Sequence, residues 1–210
     1  MSHIDIFTNI YETCAWGDNK NSNYRGTSGG GSDPEFNMES YIPFLKKFIH
    51  DNSIQTVVDL GCGDFRCGKY IYTDLDIQYT GYDAYAKVVE HNTASFPSDK
   101  YSFIHLDILN NKESIKGGDL CILKDILQHW HMDEIYRFMD YITETNKFKY
   151  ILLVNCCNQK EDNPDNSQRS LPLSAKYLPL KKYSPQVLFN YFTKEVSLIA
   201  GEDHLFKSLE

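Results

Sequence analysis

Short apolar runs alternate with longer amphipathic stretches between Gln55 and Cys157. This alternation is typical of βαβ units, in which helices connect parallel strands. The pattern predicts strands at 56–60, 77–83, 101–106, 119–124 and 150–156, and helices at 39–51, 66–72, 84–95 and 132–146. A helix at 184–192 and two strands near 195–199 and 204–208 should follow. The sequence therefore predicts a single α/β domain with a Rossmann-like, doubly wound sheet and helices on both faces.

Two irregular stretches divide this domain into three parts. Residues 1–37 are rich in Gly, Ser and Asn, and we expect them to form an N-terminal lid segment. Residues 38–157 form the predicted cofactor-binding core, and residues 158–210 the predicted acceptor loop and final strands. The apolar residues and prolines of 171–180 favour a packed loop.

Composition narrows the classes of function. The 210 residues carry a net charge of -8, so a nucleic acid backbone would be repelled. No apolar run approaches the roughly 20 residues needed to cross a bilayer, and no signal peptide pattern is visible. The six cysteines form no CxxC pair, which fits reduced thiols. We therefore expect a cytoplasmic protein that binds neither nucleic acid nor membranes.

The run VVDLGCGDF (57–65) is a buried strand that leads directly into a glycine turn. Gly61 and Gly63 lack side chains that would obstruct a ligand lying across the strand end. In doubly wound sheets, ligands bind at the carboxyl ends of the strands. An ordinary tight turn would also use two glycines, so the turn alone does not decide the function.

Two acids end the next two predicted strands. Asp83 follows the glycines by about 20 residues, where a carboxylate can accept both ribose hydroxyls. Asp107 closes the third strand, from where it can reach the adenine edge. Each acid alone could be a surface residue or a helix cap. Three successive strands that end in the glycine turn, in Asp83 and in Asp107 favour a nucleoside site.

The ligand of this site should not be a dinucleotide. Arg66 stands where a dinucleotide fingerprint has its third glycine, which allows close helix packing beside a pyrophosphate. Asp59 begins the turn, and its carboxylate suits an ammonium group and repels a diphosphate. An adenosine ligand that carries an amino acid fits these residues better.

The motifs VVDLGCGDF, YTGYDAY, FIHLDIL and GGDLCILKDILQHW resemble, in this order, the four cofactor motifs of class I S-adenosylmethionine-dependent methyltransferases. The resemblance covers residues 40–157. It implies a mostly parallel seven-stranded sheet whose last strand is antiparallel, with S-adenosylmethionine as cofactor and S-adenosylhomocysteine as product. It also implies roles for individual residues: Asp59, Gly61 and Gly63 near the methionine moiety, Asp83 on the ribose, and Asp107 with Ile108 at the adenine.

A narrower resemblance involves both ends of the chain. IFTNIYETCAWG, CGDF, KDILQHW and QRSLPLSAKYLPL are similar to segments of a bacterial and viral subgroup associated with glycan biosynthesis, which implies sugar O-methylation. In that subgroup the early loop reads closer to S-G-P-G-S, whereas this chain has SGGGS at 28–32. The role of this loop as a cofactor clamp is therefore a hypothesis.

Several residues outside the core are candidate ligand contacts. Aromatic faces stack on sugars or adenine, and a guanidinium binds carboxylates and hydroxyls. We expect Trp16, Arg25 and Ser32 of the early segment to contact the cofactor, and Asp64 and Arg169 to contact the acceptor. A packed aromatic or a solvated charge is the simpler interpretation of any one of them.

Methyl transfer to a hydroxyl needs a base that removes its proton. Asp125 and His129 are four residues apart at the end of the fourth predicted strand, which would place them on one face of a helical turn. We expect His129 to take the proton and Asp125 to orient it or contact the sugar. Alternatively, Asp125 caps the helix and His129 packs beneath it. A metal site built from Asp107, Asp125, His129 or His131 is conceivable, but no metal is predicted.

The sequence thus favours an enzyme that O-methylates a sugar, for example a deoxyhexose such as rhamnose in a glycan. A methyltransferase acting on another small molecule or a protein would share the same cofactor residues. A catalytically silent module that binds S-adenosylmethionine is a third reading, in which the chain would support a partner such as a glycosyltransferase on the same polypeptide.

Overall fold

The computed structural model describes residues 2–19, 23–163 and 170–201. Seven strands form a mostly parallel sheet with helices between them, which confirms the predicted Rossmann-like architecture. The chain divides into two compact units, with the boundary between Ile115 and Lys116. The strand predicted at 204–208 lies outside the described residues. Among the helices in the described ranges, none has the length and apolar character to cross a membrane.

The first unit holds three parallel strands in the order β3-β2-β1. Leu60 pairs with Tyr82, and Asp83 pairs with His105, so all three strands end at one edge. That edge carries the predicted cofactor residues. The strands are β1 (Thr56–Leu60), β2 (Gln78–Asp83) and β3 (Tyr101–His105), and the helices are α1 (His3–Glu12), α2 (Pro34–Asn37), α3 (Tyr41–Asp51), α4 (Gly68–Tyr72) and α5 (Ala86–Ser95).

An aromatic cluster fixes the turn that follows β1. Phe65 has a left-handed backbone, with φ 55°, and its ring is buried. The ring lies 4.9 to 5.4 Å, centroid to centroid, from four other aromatic rings, those of Tyr79, Phe96, Tyr101 and Phe103. A Cβ on Gly68 would lie 2.1 Å from the Phe65 ring, so only glycine fits there. The end of the glycine turn is therefore anchored in the core.

The second unit begins at Lys116 and holds four strands in the order β4-β5-β7-β6. β4 and β5 are parallel, and β7 is antiparallel to both of its neighbours. The elements are β4 (Gly118–Lys124), α6 (Met132–Glu144), β5 (Phe148–Cys156), β6 (Gln186–Tyr191) and β7 (Lys194–Ala200). The predicted helix at 132–146 buries a stripe with helical spacing: Met132, Ile135, Phe138, Met139 and Ile142.

The helix predicted at 184–192 is wrong, because this segment forms β6. Its consecutive apolar residues fit a short helix or a strand equally well by periodicity. The structure decides for a strand because β6 pairs with β7 from Gln186 opposite Leu198 to Tyr191 opposite Lys194. Phe192, with φ 48°, makes the tight turn between them. Pairing within this hairpin has overridden the local preference.

The loop before β6 is packed where the structure describes it. Leu173 and Leu180 are buried, and the Leu173 N–H donates to the Cys156 carbonyl at 2.7 Å. Buried Glu195 accepts hydrogen bonds from the Ser174 hydroxyl at 2.8 Å and from the Ala175 N–H at 2.6 Å. The packed loop expected at 171–180 is confirmed.

Candidate functional site

The glycine turn and Asp83 form one hydrogen-bonded unit at the carboxyl edge of the first unit. Gly61 and Gly63 have φ values of 80° and 54°, a left-handed backbone that favours glycine. The Gly63 N–H donates to Asp83 Oδ2 at 2.9 Å, and the Tyr85 N–H donates to Asp83 Oδ1 at 2.9 Å. The structure thus brings Gly63 and Asp83 into direct contact, whereas their binding of a common ligand stays a prediction.

Asp83 is a buried carboxyl group with acceptor capacity left over. Burial raises its pKa to about 6, although the two backbone N–H groups oppose this shift. A carboxylate offers about four lone-pair sites, and the two N–H donors occupy two of them. The remaining two can accept the paired hydroxyls of a ribose.

Every N–H of the turn from Gly61 to Asp64 is already bonded within the protein. The Gly61 and Cys62 N–H groups both donate to the Tyr82 carbonyl, at 2.7 and 2.9 Å. The Asp64 N–H donates to Ser28 Oγ at 2.8 Å, and Gly63 donates to Asp83 as described above. A dinucleotide site needs such N–H groups free to cradle its pyrophosphate. This turn fits a nucleoside without phosphates better.

Arg66 anchors the SGGGS loop, which explains its place in the turn. Its Nη2 donates to the Gly29 carbonyl at 3.1 Å and to Ser32 Oγ at 2.7 Å. Its Nε lies 2.9 Å from Asp64 Oδ2, which also accepts the Ser28 N–H at 3.3 Å. The predicted site residues Ser32 and Asp64 are thus brought together by Arg66. Sequence reasoning assigned them to different ligands and missed this connection.

The early segment packs directly over the glycine turn. A Cβ on Gly63 would lie 2.4 Å from Ser28 Oγ, so the serine fills the space above this glycine. The Tyr11 hydroxyl lies 2.7 Å from Ser28 Oγ, and the Tyr11 ring stacks on Tyr85 at 4.5 Å. The Tyr85 hydroxyl in turn donates to Glu12 at 2.8 Å. Residues of the early segment therefore contact the ends of both β1 and β2.

Two other candidates of the early segment differ in their surroundings. Trp16 is half-buried, and the centroid of its ring lies 6.1 Å from that of Tyr11. A Cβ added to Gly29 would lie 3.6 Å from the Cβ of Trp16. Arg25 is exposed, and its carbonyl accepts the Asn19 N–H at 2.7 Å. Trp16 therefore lies with the SGGGS loop, whereas contact between Arg25 and a cofactor stays a prediction.

Asp107 is occupied by protein donors. Its carboxylate accepts the N–H groups of Leu109 and Asn110 at 3.2 and 3.1 Å and the Asn110 side-chain amide at 2.8 Å. The fourth donor is the His3 N–H, at 3.2 Å. The four lone-pair sites are thus filled, and the carboxylate holds the beginning of α1. Asp107 and the neighbouring Ile108 are buried, and their contact with adenine stays a prediction.

Asp59 lies at partial exposure on β1, in register with Gly81 of β2. Its Oδ2 accepts the hydroxyl of buried Tyr79 at 2.9 Å. The hydrogen bond holds the carboxylate in place, and its negative charge suits the ammonium group of an amino acid.

Asn92 is a functional candidate that sequence reasoning missed. It is fully buried on α5, and its Nδ2 donates to the Gly63 carbonyl at 2.7 Å. The sequence did contain a signal for it. Asn92 lies three and four residues after Val89 and Val88, so a polar amide stands on the apolar, buried face of the helix. Asn92 thus holds the carbonyl of Gly63, and Asp83 holds its N–H.

In the second unit, Asp125 directly follows β4 and has a left-handed backbone with φ 59°. Its carboxylate contacts the ammonium groups of Lys124, at 2.9 Å, and of Lys194. Burial opposes the charge, but the two cations outweigh it and hold the pKa of Asp125 below its ordinary value. Asp125 is therefore ionised at neutral pH. The structure thus pairs the Asp125 carboxylate with these two lysines.

His129 ends the short 3₁₀ helix Leu127–His129. Its Nδ1 lies 3.2 Å from Ser170 Oγ, and its Nε2 lies 3.4 Å from the side-chain nitrogen of Gln128. Arg169, the predicted acceptor contact of the late loop, lies outside the described residues. The described part of the chain holds no group of three His, Cys, Asp or Glu side chains suited to a metal ion.

No protein-family model and no curated protein sequence matches the chain. Solved structures do share its fold. The methyltransferase domain of bacterial CtHen1-C has a TM-score of 0.60 at 14% identity, over 76% of this chain and 96% of that one. The mitomycin 7-O-methyltransferase MmcR has a TM-score of 0.54 at 15% identity, over 76% of this chain and 53% of that one.

Human N-acetylserotonin methyltransferase in complex with SAM has a TM-score of 0.54 at 15% identity, over 75% of this chain and 50% of that one. The chain thus spans about half the length of MmcR and of the human enzyme. At these identities the likeness establishes the fold alone.

Proposed function

We propose that this chain is an S-adenosylmethionine-dependent methyltransferase that methylates a sugar hydroxyl. The observation that carries the cofactor assignment is Asp83, with two free acceptor sites, bonded to a glycine turn whose N–H groups are all used internally. This unit suits the ribose of an adenosine ligand and offers nothing to a diphosphate. The solved methyltransferases of the same fold support the proposal.

In this proposal each residue of the site has its own role. When bound, the cofactor supplies a methyl group on a positively charged sulfur. The Asp83 carboxylate accepts hydrogen bonds from the ribose hydroxyls. The Asp59 carboxylate accepts hydrogen bonds from the ammonium group of the methionine moiety. Trp16 and the SGGGS loop, anchored by Arg66, cover the cofactor as a lid. His129 would take the proton that the acceptor hydroxyl loses when it is methylated.

The sugar acceptor, for example a deoxyhexose in a glycan, is proposed from the resemblance of both chain ends to a glycan-associated subgroup. Such an acceptor implies a glycosyltransferase that builds it. The ionised carboxylate of Asp125 is the candidate acceptor of a sugar hydroxyl hydrogen bond.

Two measurements test the proposal in sequence. Calorimetry with S-adenosylmethionine should show binding that Asp83→Ala weakens by about 10- to 100-fold, since hydrogen bonds to a charged group contribute about 1.5–3 kcal/mol. Asp74→Ala, at an exposed carboxylate paired with Lys46, should leave binding unchanged. Labelled cofactor and a panel of nucleotide sugars and glycosides, read by mass analysis, should then yield a product with one added methyl. Binding without any transfer would favour a silent module.

A further inference from the structure

A chain of three contacts leads from the end of β5 through the imidazole of His129. The Cys156 N–H donates to Gln128 Oε1 at 2.8 Å. The Gln128 side-chain nitrogen lies 3.4 Å from His129 Nε2, and His129 Nδ1 lies 3.2 Å from Ser170 Oγ. All of these atoms belong to the second unit.

The first contact fixes the direction of the others. A backbone N–H can only donate, so the atom of Gln128 that faces Cys156 must be the amide oxygen. The NH₂ group of Gln128 therefore faces His129, and because it cannot accept a hydrogen bond, Nε2 must present its lone pair. A neutral imidazole carries one N–H, which then lies on Nδ1 and donates to the Ser170 hydroxyl.

One backbone hydrogen bond, made by the residue after Ser170, holds this part of the late loop near His129. The Leu171 N–H donates to the Gln128 carbonyl at 3.0 Å, which ties the late loop to the turn that carries His129. Ser170 has φ 73°, a left-handed backbone that is uncommon for a serine. Such backbone outliers persist where the surroundings determine them, and they cluster at functional sites.

We propose that Gln128 and Ser170 are positioning residues that hold neutral His129 in the Nδ1–H tautomer, so that Nε2 is the atom that takes the acceptor proton. The role of His129 as base rests on the proposed function, whereas the tautomer does not. At 3.4 Å the Gln128 contact is long, and an acceptor hydroxyl readily replaces it. The Ser170 hydroxyl accepts the Nδ1–H both before and after proton transfer.

Nitrogen NMR of the full chain with ¹⁵N-labelled histidine, at about pH 8 where an ordinary histidine is neutral, tests this directly. His129→Gln identifies the His129 signals by their loss. The wild type should show a protonated Nδ1 and an unprotonated Nε2. In Gln128→Glu the carboxylate still accepts the Cys156 N–H but can no longer donate to Nε2, so the proton should move to Nε2.

Gln186→Glu makes the same charge change at an exposed position of β6 and should leave the His129 tautomer as in the wild type. Ser170→Ala removes the acceptor of the Nδ1–H and should also shift the proton toward Nε2. A wild-type His129 protonated on Nε2 would overturn the proposal, as would Gln128 and Ser170 variants that both keep the Nδ1–H form. Cofactor binding and methyl transfer are separate readouts, so their failure would overturn the proposed function and leave the tautomer result standing.

Discussion

Asp83 should lose its charge near pH 6, and cofactor binding should weaken with it. Its pKa is raised from 3.8 to about 6 by burial, with Asp64 adding to the rise. A rise of this size in the pKa of Asp83 corresponds to about 3 kcal/mol against its charged form. For an acid this penalty is present above the folded-state pKa and vanishes below 3.8, so this group alone stabilises the fold as the pH falls.

Cofactor binding should depend on pH in the opposite direction from the stability of the fold. Ribose hydroxyls donate to the ionised carboxylate, so below pH 6 each bound ligand must displace one proton. Affinity for S-adenosylmethionine should then fall by up to about tenfold for each pH unit between about 6 and 5. Between about pH 7 and 8 this group should contribute no slope.

Calorimetry at about pH 5, 6, 7 and 8, in buffers of different ionisation heat, measures both the affinity and the released proton. Asp83→Asn removes the titrating group, so its binding should be weaker at pH 7 and should lack the acid slope. Asp74→Asn is the control, because that exposed carboxylate is paired with Lys46 and has no role in the site. Equal wild-type affinity at pH 5 and pH 7 would refute the role of Asp83.

Three substitutions around the glycine turn should have separable effects. Gly63→Ala places a methyl group 2.4 Å from Ser28 Oγ on a left-handed backbone, and should lower the free energy of unfolding by about 1–3 kcal/mol in denaturant titrations. Asn92→Ala removes the amide that holds the Gly63 carbonyl and should cost about 1–3 kcal/mol while also weakening cofactor binding in calorimetry. Arg66→Ala frees the SGGGS loop, so amide hydrogen exchange at 28–32 should speed up more than exchange in β1.

Leu45→Ala is the control for these three substitutions, because it leaves a cavity at a buried position of α3. It should lower the free energy of unfolding by about 2–5 kcal/mol. At a temperature where the variant is still folded, its affinity for the cofactor should be unchanged. If Asn92→Ala and Leu45→Ala behave alike in calorimetry, Asn92 has only a packing role. Unchanged exchange at 28–32 in Arg66→Ala would contradict its role as the anchor.

The sequence predicted those parts of the fold that local patterns encode. β1 to β5 follow from apolar runs that end in glycines and acids. The helix prediction at 184–192 failed because Val187, Leu188 and Phe189 are consecutive apolar residues, and their pairing with β7 depends on residues farther along the chain. Local periodicity carries no information about that partner.

The site was predictable where one strand end contacts the next, and hidden where distant segments meet. Arg66 was interpreted only as a missing glycine, since its partners Gly29 and Ser32 lie more than 30 residues earlier in a segment without periodicity. Lys194 was likewise overlooked as the partner of Asp125, from which it is separated by 69 residues. Both contacts join charged or polar groups across segments whose paths only the structure gives.

A single substitution tests the lid role of the early segment better than deletion of the whole segment. It fills the lone pairs of Asp107 through His3, stacks Tyr11 on Tyr85 and bonds Ser28 to the Asp64 N–H, so a deletion would damage the core that it contacts. Ser28→Ala removes one hydroxyl and leaves the segment in place.

This variant should release the Asp64 N–H and the Tyr11 hydroxyl together, and loss of about two hydrogen bonds should speed cofactor dissociation by about 5- to 100-fold in stopped-flow measurements. Ser2→Ala, which removes a hydroxyl from the exposed cap of α1, should leave dissociation unchanged. Equal dissociation rates for Ser28→Ala and the wild type would mean that the segment supports the fold of the first unit without acting as a lid. A faster rate with unchanged stability would separate the lid role from packing, because only a cover that must open limits the escape of its ligand.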